Sequence, residues 1–102
     1  HGIAHITGGG FYENISRIIP DSLDAVIVEE SWKVPIIFKV LQDIGNIDKK
    51  EMYRVFNMGI GMVIIISPCD FEEMKKVAEK LGEDIYKIGR VASGSGKVKI
   101  IK

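Results

Sequence analysis

The sequence predicts an α/β fold: a mixed sheet with packed helices in the order β-α-β-α-α-β-α-β-β. Three observations carry this. Apolar, mostly β-branched runs ("DAVIVEE" at 24–30, "GMVIIIS" at 61–67, "KVKII" at 97–101) alternate with stretches whose apolar residues recur at helical spacing. Glycine and proline stand at the ends of the helical stretches, where they start or stop a helix. Strands that alternate with helices in this way build mixed α/β layers.

Each element follows from its residues. "GIAHIT" at 2–7 reads as a strand, with Ile3, His5 and Thr7 on one face and Ala4 and Ile6 on the other. After Gly8, Gly9 and Gly10, the residues Phe11, Ile15, Ile18 and Ile19 recur at helical spacing until Pro20. "DAVIVEE" is the second strand. Pro35 suits a first helical turn, and Ile37, Val40, Leu41 and Ile44 form a stripe that Ile36 and Phe38 widen, which predicts a helix buried on most sides and stopped at Gly45. Asp48 and Glu51 have the spacing of a cap and its reciprocal partner, opening a short helix through Met52 and Phe56. The unalternated run at 61–67 predicts a central strand covered on both faces. Phe71, Met74, Val77, Ala78 and Leu81 form the last helical stripe, with the charges of "EEMKKVAEK" on its solvated side and Gly82 as its stop. "DIYKIGRV" and "KVKII" close the chain as two strands, read as a hairpin around "ASGSG".

At 102 residues the chain is one domain with a modest core, and 46% hydrophobic with 27% charged is a globular mixture. Fourteen basic and fourteen acidic residues cancel, so no net field favours nucleic acid or an anionic membrane. "MVIII" at 62–66, the longest apolar run, is far too short to cross a bilayer, and no signal peptide opens the chain. A single cysteine, Cys69, excludes an internal disulfide and fits a reducing, cytoplasmic setting. The chain opens at His1 rather than at a methionine, which reads as a piece of something longer.

Among possible motifs, the glycine triplet stands out because it joins the carboxyl end of a strand to a helix. Ligands of open α/β sheets bind at that edge, and helix-terminal amides attract anions. His5 and Thr7 share a face and could reach the same ligand; the alternative is a tight turn beside a satisfied histidine. "FNMGIGMV" at 56–63 fails as a dinucleotide fingerprint because its glycines precede a strand. Asn57 there is either a polar ligand or a helix cap, and spacing favours the cap. "GSGK" at 94–97 lacks the earlier glycine of a phosphate loop (position 91 is Val91) and has Val98 in place of Ser or Thr, so it reads as a turn. Glu29 and Glu30, adjacent in a strand, point to opposite faces and cannot pair there. Trp32 beside Pro35 reads as a packing anchor, and Cys69 as inert. No metal cluster or catalytic triad is legible.

Longer words go further. "AHITGGGFYENI" at 4–15, then Arg17 and "IP", Trp32 and Pro35, "GNI" at 45–47, "EMYRVFNMGIGMV" at 51–63 and "YKIGRV" at 86–91 closely resemble the aminoimidazole ribonucleotide synthetases, the phosphoribosylformylglycinamidine cyclo-ligases of purine biosynthesis. Ser16 and Val55 depart from the usual "ENIPR" and "YRTFN" but flank the glycine and asparagine positions rather than replace them. The resemblance implies that residues 1–102 are most of the C-terminal domain of a two-domain enzyme. The N-terminal domain would hold most ligands of ATP and Mg2+ and the main contact of a homodimer. The implied reaction is ATP-dependent closure of formylglycinamidine ribonucleotide to the imidazole, with this chain forming one wall of the interdomain cleft. The candidate site residues are His5 as catalytic donor, with Thr7, Gly8, Gly9, Gly10, Asn14 and Asn57 binding substrate. The ribotide 5′-phosphate is the natural anion for the glycine loop, with the ATP phosphates as the other choice. The partners expected are a small-molecule ribonucleotide and a second copy, with neither nucleic acid nor membrane. Other readings are a different member of the superfamily (formylglycinamidine ribonucleotide synthetase, selenophosphate synthetase, thiamin-monophosphate kinase) or a non-catalytic ligand-binding module.

Overall fold

A computed structural model describes residues 2–102. Its elements are β1 (Gly2–His5), α1 (Gly10–Ser16), β2 (Leu23–Val28), α2 (Ile36–Gly45), α3 (Lys49–Val55), β3 (Met62–Ile65), α4 (Phe71–Lys80), β4 (Gly89–Ser93) and β5 (Val98–Ile101), with a 3-10 turn, Pro68–Asp70, leading into α4. The mixed α/β class and the element order are those the sequence predicts.

The strands form two sheets. β1 and β3 make an antiparallel pair in which Gly2 faces Ile65 and His5 faces Met62. In the other sheet β2 is central, antiparallel to β4 and parallel to β5. Centrality therefore falls to β2, whose Ala25, Val26 and Ile27 are all buried, and not to the run at 61–67. In β3 Val63 is buried in the core and Ile65 packs against it; Met62 and Ile64, on the other face, are 58% and 43% exposed, and among the described residues β1 is the one strand paired with β3. β4 and β5 do not form a hairpin, since β2 lies between them. Their connection arches over the start of β2 and is pinned to it: Gly94 N donates to Ser22 O (2.9 Å) and Gly96 N to Leu23 O (2.8 Å). Residues 84–88 stay outside the strand that begins at Gly89.

The core lies where α1 and α3 meet, and Phe11, Met52, Ile15 and Ile6 are its most deeply buried side chains. Phe11 stacks on Trp32 at 5.6 Å and meets Tyr53 edge-on at 5.3 Å. Trp32 is the anchor its position suggests, with Nε1 donating to Met58 O at 3.1 Å. That bond steadies a turn in which Met58 takes φ +53°, a backbone region side-chain-bearing residues rarely occupy. Asp48 and Glu51 do open α3, yet Asp48 makes no side-chain capping bond.

The prediction for α2 fails. No residue of this helix is buried, because the faces that would cover its stripe are not among the elements it touches. α4 is also only partly covered, with Ala78 buried and Val77 52% exposed.

Candidate functional site

At the end of β1 the alternation of the sequence holds. Ala4 and Ile6 are buried, while Ile3, His5 and Thr7 lie outward. Ile6 N donates to Gly61 O (2.9 Å), continuing the pairing with the β3 side, and then the chain turns: Gly10 N donates to Thr7 O at 2.9 Å. The buried amide of Asn14 holds this turn from behind. Its Nδ2 donates to the carbonyls of Thr7 and Gly8, each at 3.3 Å, and of Gly10 at 2.8 Å. Asn14 Oδ1 accepts from Arg17 Nη1 at 3.4 Å. Asn14 therefore shapes the loop, with its side-chain donors spent on loop carbonyls.

The three glycines separate by what requires them. Gly9 and Gly10 have φ of +96° and +58°, the left-handed region in which a Cβ is penalised. A Cβ on Gly10 would also strike the Tyr53 carbonyl oxygen and lie 2.7 Å from the Arg54 carbonyl carbon, so this glycine is where α1 and α3 touch. A Cβ on Gly9 would strike the Glu13 side chain, with Glu13 Cβ 2.8 Å away. Gly8 has no such reason: its φ is not positive and an added Cβ would meet nothing within 4 Å.

Thr7 and Asn57 come together in one shallow hollow of about 250 Å³, walled by Ile6, Phe38, Val55 and Phe56. Asn57 is not the helix cap its spacing favours, because Phe56 takes the C-cap of α3; it is a turn residue one position further on. Its Oδ1 accepts from Gly59 N at 2.9 Å and its carbonyl from Ile60 N at 2.9 Å, leaving Nδ2 as its side-chain donor. His5 is exposed on the outer face of the β1–β3 pair, two residues before Thr7, and does not line this hollow. The aromatic and aliphatic walls escaped the sequence reading because Phe38 and Phe56, which pack together at 5.8 Å, are far apart along the chain.

Two further polar arrangements were not legible. Glu29 and Glu30 follow the end of β2 instead of sitting within it, so strand alternation does not apply. Both border a second hollow of about 570 Å³ with Lys39, Asp43, Lys49 and Tyr53. Glu29 pairs there with Lys49 at 3.1 Å. Burial pushes the Tyr53 phenol up to about 12, helped by the Glu29 carboxylate and by Tyr12. Around "GSGK" the anion is internal. Asp24 Oδ1 accepts from Ser95 N and Lys97 N, both at 2.9 Å, and Lys99 Nζ lies 3.2 Å from Oδ2. These two backbone bonds, with Lys99, hold the Asp24 carboxyl down at about 2 against the opposing effect of burial. The turn thus grips a carboxylate of its own chain, consistent with its failure as a phosphate loop.

Among the described residues, no group of three His, Cys, Asp or Glu side chains is placed to hold a metal ion. No helix among them is long and apolar enough to cross a membrane.

Comparison with known proteins adds to this geometry. The chain is 48% identical over 94 residues to the phosphoribosylformylglycinamidine cyclo-ligase of Pseudothermotoga lettingae, covering 92% of this chain and 28% of that protein. It is 50% identical over 97 residues to the protein of the same name from Caldanaerobacter subterraneus subsp. tengcongensis, covering 95% and 29%. With the Bacillus cereus protein of that name the identity is 46% over 96 residues, covering 94% and 28%. The chain therefore spans somewhat over a quarter of the length of these curated relatives. A family model described as AIR synthase related protein, C-terminal domain, matches residues 1–102, and the chain belongs to that family.

Proposed function

We propose that this chain is the C-terminal part of an ATP-dependent phosphoribosylformylglycinamidine cyclo-ligase of purine biosynthesis, and that it forms one wall of the active-site cleft. The observation that carries the reading is identity near one half, across more than nine-tenths of the chain, to proteins bearing that name. In the proposed reaction the formyl oxygen of formylglycinamidine ribonucleotide takes the γ-phosphoryl group of ATP. The amidine nitrogen attacks the activated carbon, and the ring closes as phosphate leaves and ADP is released. Such a step is mostly positioning and charge stabilisation.

This chain's own residues fit a positioning role. The hollow at Thr7 and Asn57, about 250 Å³, falls below the roughly 300–1,000 Å³ of a complete small-molecule site. It suits one portion of a ribonucleotide, with the rest held by a facing wall. The backbone at Gly8, free of any internal demand for glycine, is the point at which a phosphate oxygen can approach. Thr7 Oγ1 and Asn57 Nδ2 supply hydrogen bonds, and His5 stands on the same outward side as Thr7 as a proton or hydrogen-bond donor. In this reading Gly9, Gly10 and Asn14 hold the loop in shape. ATP supplies the phosphoryl group when bound; its ligands and those of Mg2+ are assigned to the remainder of the polypeptide. The exposed, single Cys69 and the ordinary charge balance support a cytoplasmic enzyme, and homodimerisation is assigned to the remainder as well.

The test measures ADP release with and without formylglycinamidine ribonucleotide. One sample is the 102-residue chain, and the other a chimera in which this chain replaces the matching stretch of the Caldanaerobacter relative. Ribonucleotide-dependent ADP release by the chimera, with none from the chain alone, is expected. A folded chimera without it would overturn the reading, as would turnover by the chain alone.

A further inference from the structure

Helix α2 is amphipathic the wrong way round for an isolated domain. Its aliphatic residues Ile36, Ile37, Val40, Leu41 and Ile44 form one stripe, and they are 78%, 54%, 42%, 37% and 80% exposed. Its opposite side turns to the domain: Phe38 and Gln42 are half-buried, and Gln42, with the exposed Lys39 and Asp43, borders the hollow that also contains Lys49 and Tyr53. An apolar stripe normally turns toward the core it helps to build. Here the core is on the other side, and Phe38 is the α2 residue that reaches the Thr7–Asn57 hollow.

We infer that the α2 stripe is an interface for the preceding region of the same polypeptide, the part the relatives carry beyond the stretch matched here. Two observations choose this occupant over a second copy. The relatives are each more than three times as long as this chain, which covers 28–29% of them, so a neighbouring region of the same chain is at hand. The area decides in the same direction. Five aliphatic side chains at these exposures leave on the order of 500 Å² open, roughly 1,000 Å² once both partners are counted. That is below the approximately 1,200–2,000 Å² of a stable association between separate proteins, but well inside the roughly 600–1,500 Å² typical of contacts between domains of one chain. A covalent neighbour needs less area because its effective concentration is already high. The stripe and the site hollow meet at Phe38, so the region docked on α2 also comes to lie beside Thr7 and Asn57. The inference rests on the family's length and the exposure of α2, not on the proposed activity.

The experiment compares the 102-residue chain with the Caldanaerobacter chimera by hydrogen exchange at the α2 amides. Exchange at least about tenfold slower in the chimera is expected, with Ile36→Lys/Ile44→Lys restoring fast exchange there while leaving the melting temperature of the 102-residue chain unchanged. The milder Ile36→Ala/Ile44→Ala pair reports the same contact if the lysines keep the chimera from folding. Equal exchange in chain and chimera would overturn the inference. So would sedimentation of the 102-residue chain as a dimer that the lysine pair dissociates, which would assign the stripe to a second copy. Either result leaves the ADP-release test, and the reading it addresses, untouched.

Discussion

Replacing each glycine of the triplet by alanine separates what the fold demands from what a ligand would demand. At Gly10 two costs combine. Left-handed backbone costs a residue with a Cβ about 1–2 kcal/mol, and φ here is +58°. The new methyl would also sit 2.7 Å from the Arg54 carbonyl carbon. Ordinary contact needs α1 and α3 to part by several tenths of an ångström or more, and such overpacking costs about 1–3 kcal/mol. The sum, about 2–5 kcal/mol, is a large share of the roughly 5–15 kcal/mol by which small domains are stable. Gly10→Ala should therefore lower the melting temperature of the 102-residue chain by roughly 10 °C or more. Gly9→Ala carries the backbone cost, and although the Glu13 carboxylate can swing aside, Glu13 Cβ at 2.8 Å is fixed to α1, so a loss of roughly 5–10 °C or somewhat more is expected. Gly8→Ala meets open space and should leave stability unchanged or raise it by up to about 1 kcal/mol through the less flexible unfolded chain. Thermal unfolding followed by circular dichroism reads all three. A Gly8→Ala variant that melts as early as Gly10→Ala, or a Gly10→Ala variant that melts like the parent, would refute the reasoning. The same Gly8→Ala change in the chimera then isolates the ligand: weaker ribonucleotide binding at unchanged stability is expected, whereas unchanged binding makes the loop a turn only.

Three other outcomes are expected. Asp24 has a folded-state pKa of about 2 against an ordinary 3.8; because it is depressed, its stabilisation is complete above about pH 4 and is lost as pH falls through about 2. Melting curves of the parent and of Asp24→Asn should differ at pH 6 and converge near pH 2, and a gap that persists there would contradict the assignment. Trp32→Phe keeps a ring against Phe11 but leaves the Met58 carbonyl without its indole donor, so urea unfolding should show a loss of about 1–3 kcal/mol; a loss below about 0.5 kcal/mol would mean that water replaces the bond. His5→Ala, at an exposed position, should change stability by no more than about 0.5 kcal/mol while lowering ribonucleotide-dependent ADP release by the chimera. Parental activity would remove His5 from the proposed site.

What the sequence made legible was local. Period-two alternation set Ile3, His5 and Thr7 on one face and Ala4 and Ile6 on the other, and the structure keeps the two sets apart, the first exposed and the second buried, because a strand has only two faces to offer. Helical spacing and end signals likewise gave the existence and order of the helices. The longer-range errors share one cause. "MVII" and "AVIV" are alike in composition, yet Val26 is buried in a central strand and Met62 is exposed at a sheet edge. Nothing within either run states how many neighbours it will acquire. The hairpin expected around "ASGSG" failed for the same reason: the partner of both strands is β2, more than sixty residues upstream of β4, and the Asp24 carboxylate that grips the turn is equally distant. Asn14 shows the limit at short range, since spacing put it near the loop but could not say whether its amide would face a ligand or the Thr7, Gly8 and Gly10 carbonyls. In α2 the pattern was read correctly and its consequence was not. Periodicity identifies an apolar face that something must cover, and the sequence of a helix carries no mark of whether that cover comes from its own domain or from the polypeptide beyond it.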